Sequence, residues 1–281
     1  MRKMVAGKRT SRPWAEKNPS FISGGRFFRV CGRKVSGKEI AVKRAKLLVS
    51  KGDALMALDL HAQYANALER AGIRVPKTVT RAYKSGGRYR IVFFQERFKP
   101  DEIVSSAITR APAEEAKVIF GKLLGQALRA SELACKARQS SKATTVVDFY
   151  LENFAFRGGD VFLLDTFFPL IGQINRKSRR LRTAFSGKEP RGSFLHDLIS
   201  QNIVPHEVKP VVRLFLDATK LRPELAKEFG NQLQKAVKNT GPRARRAILH
   251  WASPERLKLL KTYYGLLERI CGANSRRLRF V

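Results

Sequence analysis

Asp148, Asn153 and Asp165 interrupt two apolar stretches, Val146 to Phe156 and Val161 to Leu164, with a Gly158-Gly159 turn between them. If the chain folds back at the glycine pair, two carboxylates and an amide oxygen converge. Such an oxygen set suits Mg2+ carrying a polyphosphate, with one carboxylate free to orient or deprotonate an acceptor hydroxyl. That is the chemistry of phosphoryl transfer. Asp165 is the most pointed of the three, because an acid within the apolar segment Val161 to Ile171 needs a partner or a metal. Asp148 and Asn153 also have a plainer reading as loop caps.

The elements that must position these residues follow from periodicity. Short apolar runs at Phe21-Ile22, Phe27 to Val30 and Ile40 to Val42, separated by Gly24-Gly25, Gly32 and Gly37, predict three antiparallel strands. Leu55, Leu58, Ala62, Ala65 and Leu68 share one helical face, and Gly72 ends that helix. A strand is expected across Val75 to Val79 and another at Arg88 to Phe94, after Gly86-Gly87. From Phe98 the character shifts to helix. Ala113 to Cys135 presents Val118, Phe120, Leu123, Leu124, Ala127, Leu128 and Leu133, followed by a strand, loop and strand within Thr144 to Pro169 and by helices from Leu195. The fold class is α+β.

In this order the motifs resemble the protein-kinase-like superfamily, and within it the small-molecule-kinase branch of aminoglycoside phosphotransferases. The resemblance covers about residues 21–172. It implies a two-lobed fold, with a small antiparallel sheet lobe and a mainly helical lobe, and Mg2+ and ATP as cofactors. By this likeness Asp148 is the catalytic Asp that orients the acceptor hydroxyl, while Asn153 and Asp165 hold the metal. Lys43, ending Glu39-Ile40-Ala41-Val42, contacts nucleotide phosphates, Gly24-Gly25 forms the glycine loop, and Phe93-Phe94-Gln95-Glu96 is the hinge for adenine. Gly24-Gly25 reads equally as a hairpin turn. The chain departs from the family pattern at Val146, where a His is usual, and at Asp165-Thr166-Phe167 in place of Asp-Phe-Gly. The helix partner of Lys43 stays open between Asp59 and Glu69, with His61 or Gln63 in the expected place.

Three units are expected: a basic arm at 1–20, a nucleotide-binding lobe at 21–98 and a helical lobe with the catalytic and metal loops at 99–281. The 43% hydrophobic fraction excludes a disordered chain. Cys31, Cys135 and Cys271 are too dispersed for a disulfide framework or a Cys-x-x-Cys site, so a reducing, cytoplasmic setting is expected. No segment reads as a signal peptide or transmembrane span.

Charge bears on the partner. Lys and Arg number 56 against 23 Asp and Glu, a net charge of +33. Such a field gathers polyanions, so the expected partner is RNA, DNA, a ribosome or an anionic metabolite, with an anionic membrane surface as another candidate. Arg176, Lys177, Arg179, Arg180 and Arg182 follow the metal loop, where an acceptor would approach. Two functions fit: an ATP-dependent phosphotransferase acting on an anionic or nucleic-acid-associated or ribosome-associated acceptor, and a kinase-like protein without effective catalysis that binds nucleic acid or ribonucleoprotein.

Overall fold

In a computed structural model, the described residues are 20–24, 28–35, 37–139, 145–146, 149–166, 170–171, 181, 205, 207–253, 255–260 and 262. Five strands, β1 (Ser20–Gly24), β2 (Phe28–Val35), β3 (Lys38–Ala45), β4 (Thr78–Ser85) and β5 (Arg88–Glu96), form an antiparallel sheet in the order β1-β2-β3-β5-β4. Its inner face packs on helix α1 (Lys51–Arg70) through Phe28, Ala45, Val49, Ala54, Ala57, Ile91 and Phe93. This small core defines the first lobe.

Helix α1 begins where Ser50 caps it, the Oγ accepting from the Asp53 N–H at 3.1 Å. It ends in a Schellman motif: Gly72 N–H donates to Glu69 O and Ile73 N–H to Leu68 O, both at 2.9 Å. Gly72 takes φ 72°, a left-handed conformation that a side chain would oppose. The buried face is Ala54, Ala57, His61, Tyr64 and Leu68. This corrects the expected stripe, since Leu55 and Ala62 are exposed. The stripe is rotated because Tyr64 and Leu68 belong to a second core, shared with the helical lobe. One helix therefore enters both cores, and His61 lies where it passes from one to the other.

The second lobe is built around α3 (Ala113–Gln139), with α2 (Val104–Arg110) before it and α4 (Lys209–Leu221), α5 (Ala226–Val237) and α6 (Pro242–Trp251) after. Phe120 stacks on Phe229 with ring centroids 4.3 Å apart, joining α3 to α5. Val118, expected on the apolar face, is exposed; Phe120, Leu123, Leu124 and Ala127 are buried there as expected, joined by Ala116 and Ile119. Val75-Pro76 is loop, a second correction, because the following strand starts at Thr78. Between α3 and α4 lie β6 (Thr145–Val146), the hairpin β7 (Phe154–Arg157) and β8 (Asp160–Leu163), and β9 (Leu170–Ile171), which pairs with β6. The architecture is the two-lobed α+β arrangement expected from the order of motifs, with a small antiparallel sheet lobe and a mainly helical lobe.

Candidate active site

The β7–β8 hairpin turns through Gly158 and Gly159, at φ 57° and 78°. Positive φ at both central residues is the requirement of the tightest hairpin turns, and glycine meets it without strain. The turn fixes the register Phe154↔Leu163, so Asn153 stands opposite Leu164 and Asp165 comes one residue later. Leu164 N–H accordingly donates to Asn153 O at 2.7 Å. Two residues that the sequence separates by twelve positions are thus neighbours by hairpin geometry. Asn153 is buried and Asp165 is exposed.

Lys43 meets this hairpin from the other lobe. Its Nζ donates to Leu164 O at 2.6 Å, and Gln95 Nε2 donates to the same oxygen at 3.1 Å. Burial pushes the Lys43 ammonium below its ordinary pKa, while the charge of Asp165 pushes it back up. The ammonium and the carboxylate therefore act on one another across the interface of the two lobes.

His61 supplies a third side. Its Nε2 lies 3.1 Å from Thr166 Oγ1 and its Nδ1 3.4 Å from Thr80 Oγ1, with the ring packed edge-on against Phe93 at 4.8 Å. Burial, then the neighbouring Lys43 charge, lower its pKa to about 4, with Asp165 opposing. The imidazole is neutral at pH 7. Of the helix residues weighed beside Lys43, His61 is the one facing it; Asp59 instead accepts from Gln63 Nε2 at 2.8 Å on the exposed side. Thr166, which stands where the resemblance has Phe, is buried and is the residue His61 holds.

Glu96 points to the opposite face of β5 from Gln95. Arg157 of the hairpin donates to Glu96 Oε1 at 2.5 Å, to both Glu102 oxygens at 2.5 and 2.6 Å, and to Arg97 O at 2.8 Å, with its guanidinium 4.0 Å above the Phe98 ring. Hydrogen bonding between them raises Arg157 and lowers Glu102 from their usual pKa values. This cluster binds the connector between the lobes to the hairpin that carries Asn153 and Asp165. Its long-range pairing gave no local signal in the sequence; a lone Arg before Gly-Gly reads as a turn residue.

Gly24 closes β1, paired with Arg29. Gly25, Asp148, Arg176, Lys177, Arg179, Arg180 and Arg182 lie outside the described residues. Among the described residues no group of three or more His, Cys, Asp or Glu forms a metal cage. Asn153 and Asp165 carry oxygen atoms of the type Mg2+ takes, and the hairpin register sets their backbones one residue out of opposition. No helix among the described residues is long and apolar enough to cross a membrane.

The chain belongs to the family described as a family of unknown function, DUF6206, which it matches over residues 34–275. No curated protein matches its sequence. Among solved structures, one described as "WaaP in complex with acyl carrier protein" is similar at 12% identity and a TM-score of 0.47, with 89% of this chain and 89% of that chain covered.

Proposed function

We propose that this member of the DUF6206 family is a Mg2+-ATP-dependent phosphotransferase that acts on an anionic or nucleic-acid-associated or ribosome-associated acceptor. The observation that carries the reading is the convergence of Lys43, on β3, with Leu164 and Asp165, at the end of the hairpin. A buried ammonium beside a carboxylate, supported from both lobes, is suited to receive phosphate oxygens. Mg2+, when bound, would neutralise charge on the transferring phosphate.

In this reading Lys43 leaves the Leu164 carbonyl for the nucleotide phosphates, and Gln95 keeps that carbonyl satisfied. Asn153 and Asp165 would hold the metal. Asp148 orients the acceptor hydroxyl and accepts its proton as the hydroxyl oxygen bonds to the terminal phosphorus, the leaving diphosphate taking the electron pair of the broken bond. Arg176, Lys177, Arg179, Arg180 and Arg182 would draw in an anionic acceptor.

A non-catalytic, kinase-like protein that binds nucleic acid is the second reading. It is favoured by Val146 in place of the usual His and by the His61–Thr166 bond in place of a helix carboxylate on Lys43. Thermal shift with Mg2+-ATP and phosphate release, each with and without RNA, separate the two. Nucleotide stabilisation and turnover, both reduced in Asp165→Asn, support catalysis; no stabilisation by Mg2+-ATP at any concentration would overturn it.

A further inference from the structure

The outer face of the five-stranded sheet, turned away from α1 and Lys43, is tiled with arginine. Strand pairing places paired residues on the same face. One row across the sheet therefore reads Arg29, Arg44, Val92 and Arg81. The next places Arg90 opposite Tyr83, and the one after it Arg88 opposite Ser85. On the other side of the first row lie Cys31, Val42, Phe94 and Val79, then Arg33, Ile40 and Glu96. Val42 and Val92 are buried on this face yet belong to neither core, as happens where long arginine stems lie over small apolar residues.

The arginines are not balanced. Among the described residues Arg29, Arg44, Arg81, Arg88 and Arg90 have no carboxylate partner, and Glu96, the acid on this face, is engaged by Arg157. Its own burial first, and then the like charges of Arg44 and Arg29, lower the pKa of Arg90. Folding has gathered cations that repel one another, and a polyanion would relieve that.

We propose that this sheet face binds single-stranded nucleic acid, with phosphates on Arg29, Arg44, Arg81 and Arg90 and a base on Tyr83. Adjacent strands lie about 4.8 Å apart and alternate residues along a strand about 6.7 Å, so the guanidinium groups form a closely spaced two-dimensional array. The residue type decides between partners. A charged lipid surface attracts Lys and Arg alike, whereas the solvent-reaching cations here are five Arg, namely Arg29, Arg44, Arg81, Arg88 and Arg90, and one Lys, Lys38, with Arg33 buried on the same face. Arginine is the side chain that grips phosphate with a planar fork and stacks on rings. Tyr83 beside Arg90 adds a stacking platform, which single strands use and duplexes hide. The surface is separate from the Lys43 cleft and does not rest on the phosphotransferase reading.

The test is anisotropy of a fluorescein-labelled oligouridylate titrated with the full chain at several salt concentrations. Changing Arg29, Arg44, Arg81 and Arg90 together to Gln should flatten the slope of log K against log salt by about 2 to 3 units, since each single-strand phosphate contributes about 0.7. A control with Lys235, Lys238, Arg246 and Lys258 changed to Gln, all exposed on the helical lobe, should keep the slope within about one unit of the parent. Changing the same four arginines to Lys tests folding and geometry together: the slope stays and affinity falls about tenfold. Tyr83→Ala should lose about tenfold with the slope unchanged. An unchanged slope in the Gln variant, equal flattening in the control, or full affinity in Tyr83→Ala overturns the proposal. So does binding to phosphatidylserine vesicles with none to the oligonucleotide.

Discussion

His61 and Thr166 share a hydrogen bond of 3.1 Å although 105 positions separate them. The bond ties α1 to the residue after Asp165, and in the neutral ring one nitrogen donates to a threonine hydroxyl while the other accepts from one. Its folded pKa of about 4 lies below the ordinary 6.5, so the unfolded chain binds the extra proton first as pH falls. Stability from this group is complete above about pH 6.5 and is lost as pH falls towards about 4. Urea unfolding across that range should show the parent losing up to ~3 kcal/mol relative to His61→Gln. Parallel pH profiles would show that His61 is not buried neutral.

Lys43→Met removes the charge and keeps most of the stem. Leu164 O retains the Gln95 donor, so unfolding free energy should change by no more than about 1 kcal/mol. Affinity for Mg2+-ATP should drop at least tenfold, about 1.4 kcal/mol. Calorimetric titration with nucleotide would read both protein integrity and affinity. Undiminished affinity would remove Lys43 from the nucleotide site.

Arg157→Met should loosen the connector between the lobes. The side chain is about a third exposed, so solvent screening reduces the value of its ion pairs, and the expected loss is about 1–2 kcal/mol. Because the cluster is ionic, added salt should narrow the gap between parent and variant in guanidine-free urea melts. A gap independent of salt would assign the effect to packing on Phe98.

Asp217 has the opposite sign from His61. Burial raises it from 3.8 to about 6, against the pull of Arg213 at 3.0 Å and with help from the charge of Glu152. The folded state then holds the proton longer than the unfolded state, and stability falls as pH rises from about 4 to about 6. Asp217→Asn should lack that decline and gain about 1–3 kcal/mol over the parent at pH 7. Identical pH dependence in the two proteins would contradict a protonated Asp217.

Local pattern revealed the elements and distant pairing did not. Gly158-Gly159 between two apolar runs announces a hairpin, and the hairpin alone brings Asn153 beside Asp165. Lys43 was legible because it ends the apolar run Ile40-Ala41-Val42 and alternates with buried positions. His61 was harder to read: a histidine among Leu and Ala looks structural, and its role appears only when α1 is seen to serve two cores at once. That dual service also rotated the buried stripe away from Leu55. Arg157 was illegible for a related reason, since its partners Glu96 and Glu102 are set by how the lobes meet.

The carbonyl that receives Lys43 and Gln95 belongs to the main chain at Leu164. A backbone oxygen is present whatever side chain the position carries. The junction between the lobes can therefore persist through sequence drift at residue 164, provided the replacement still fits its half-buried place. Either donor, Lys43 or Gln95, is lost by a single substitution, while their common acceptor survives any replacement of the side chain at residue 164.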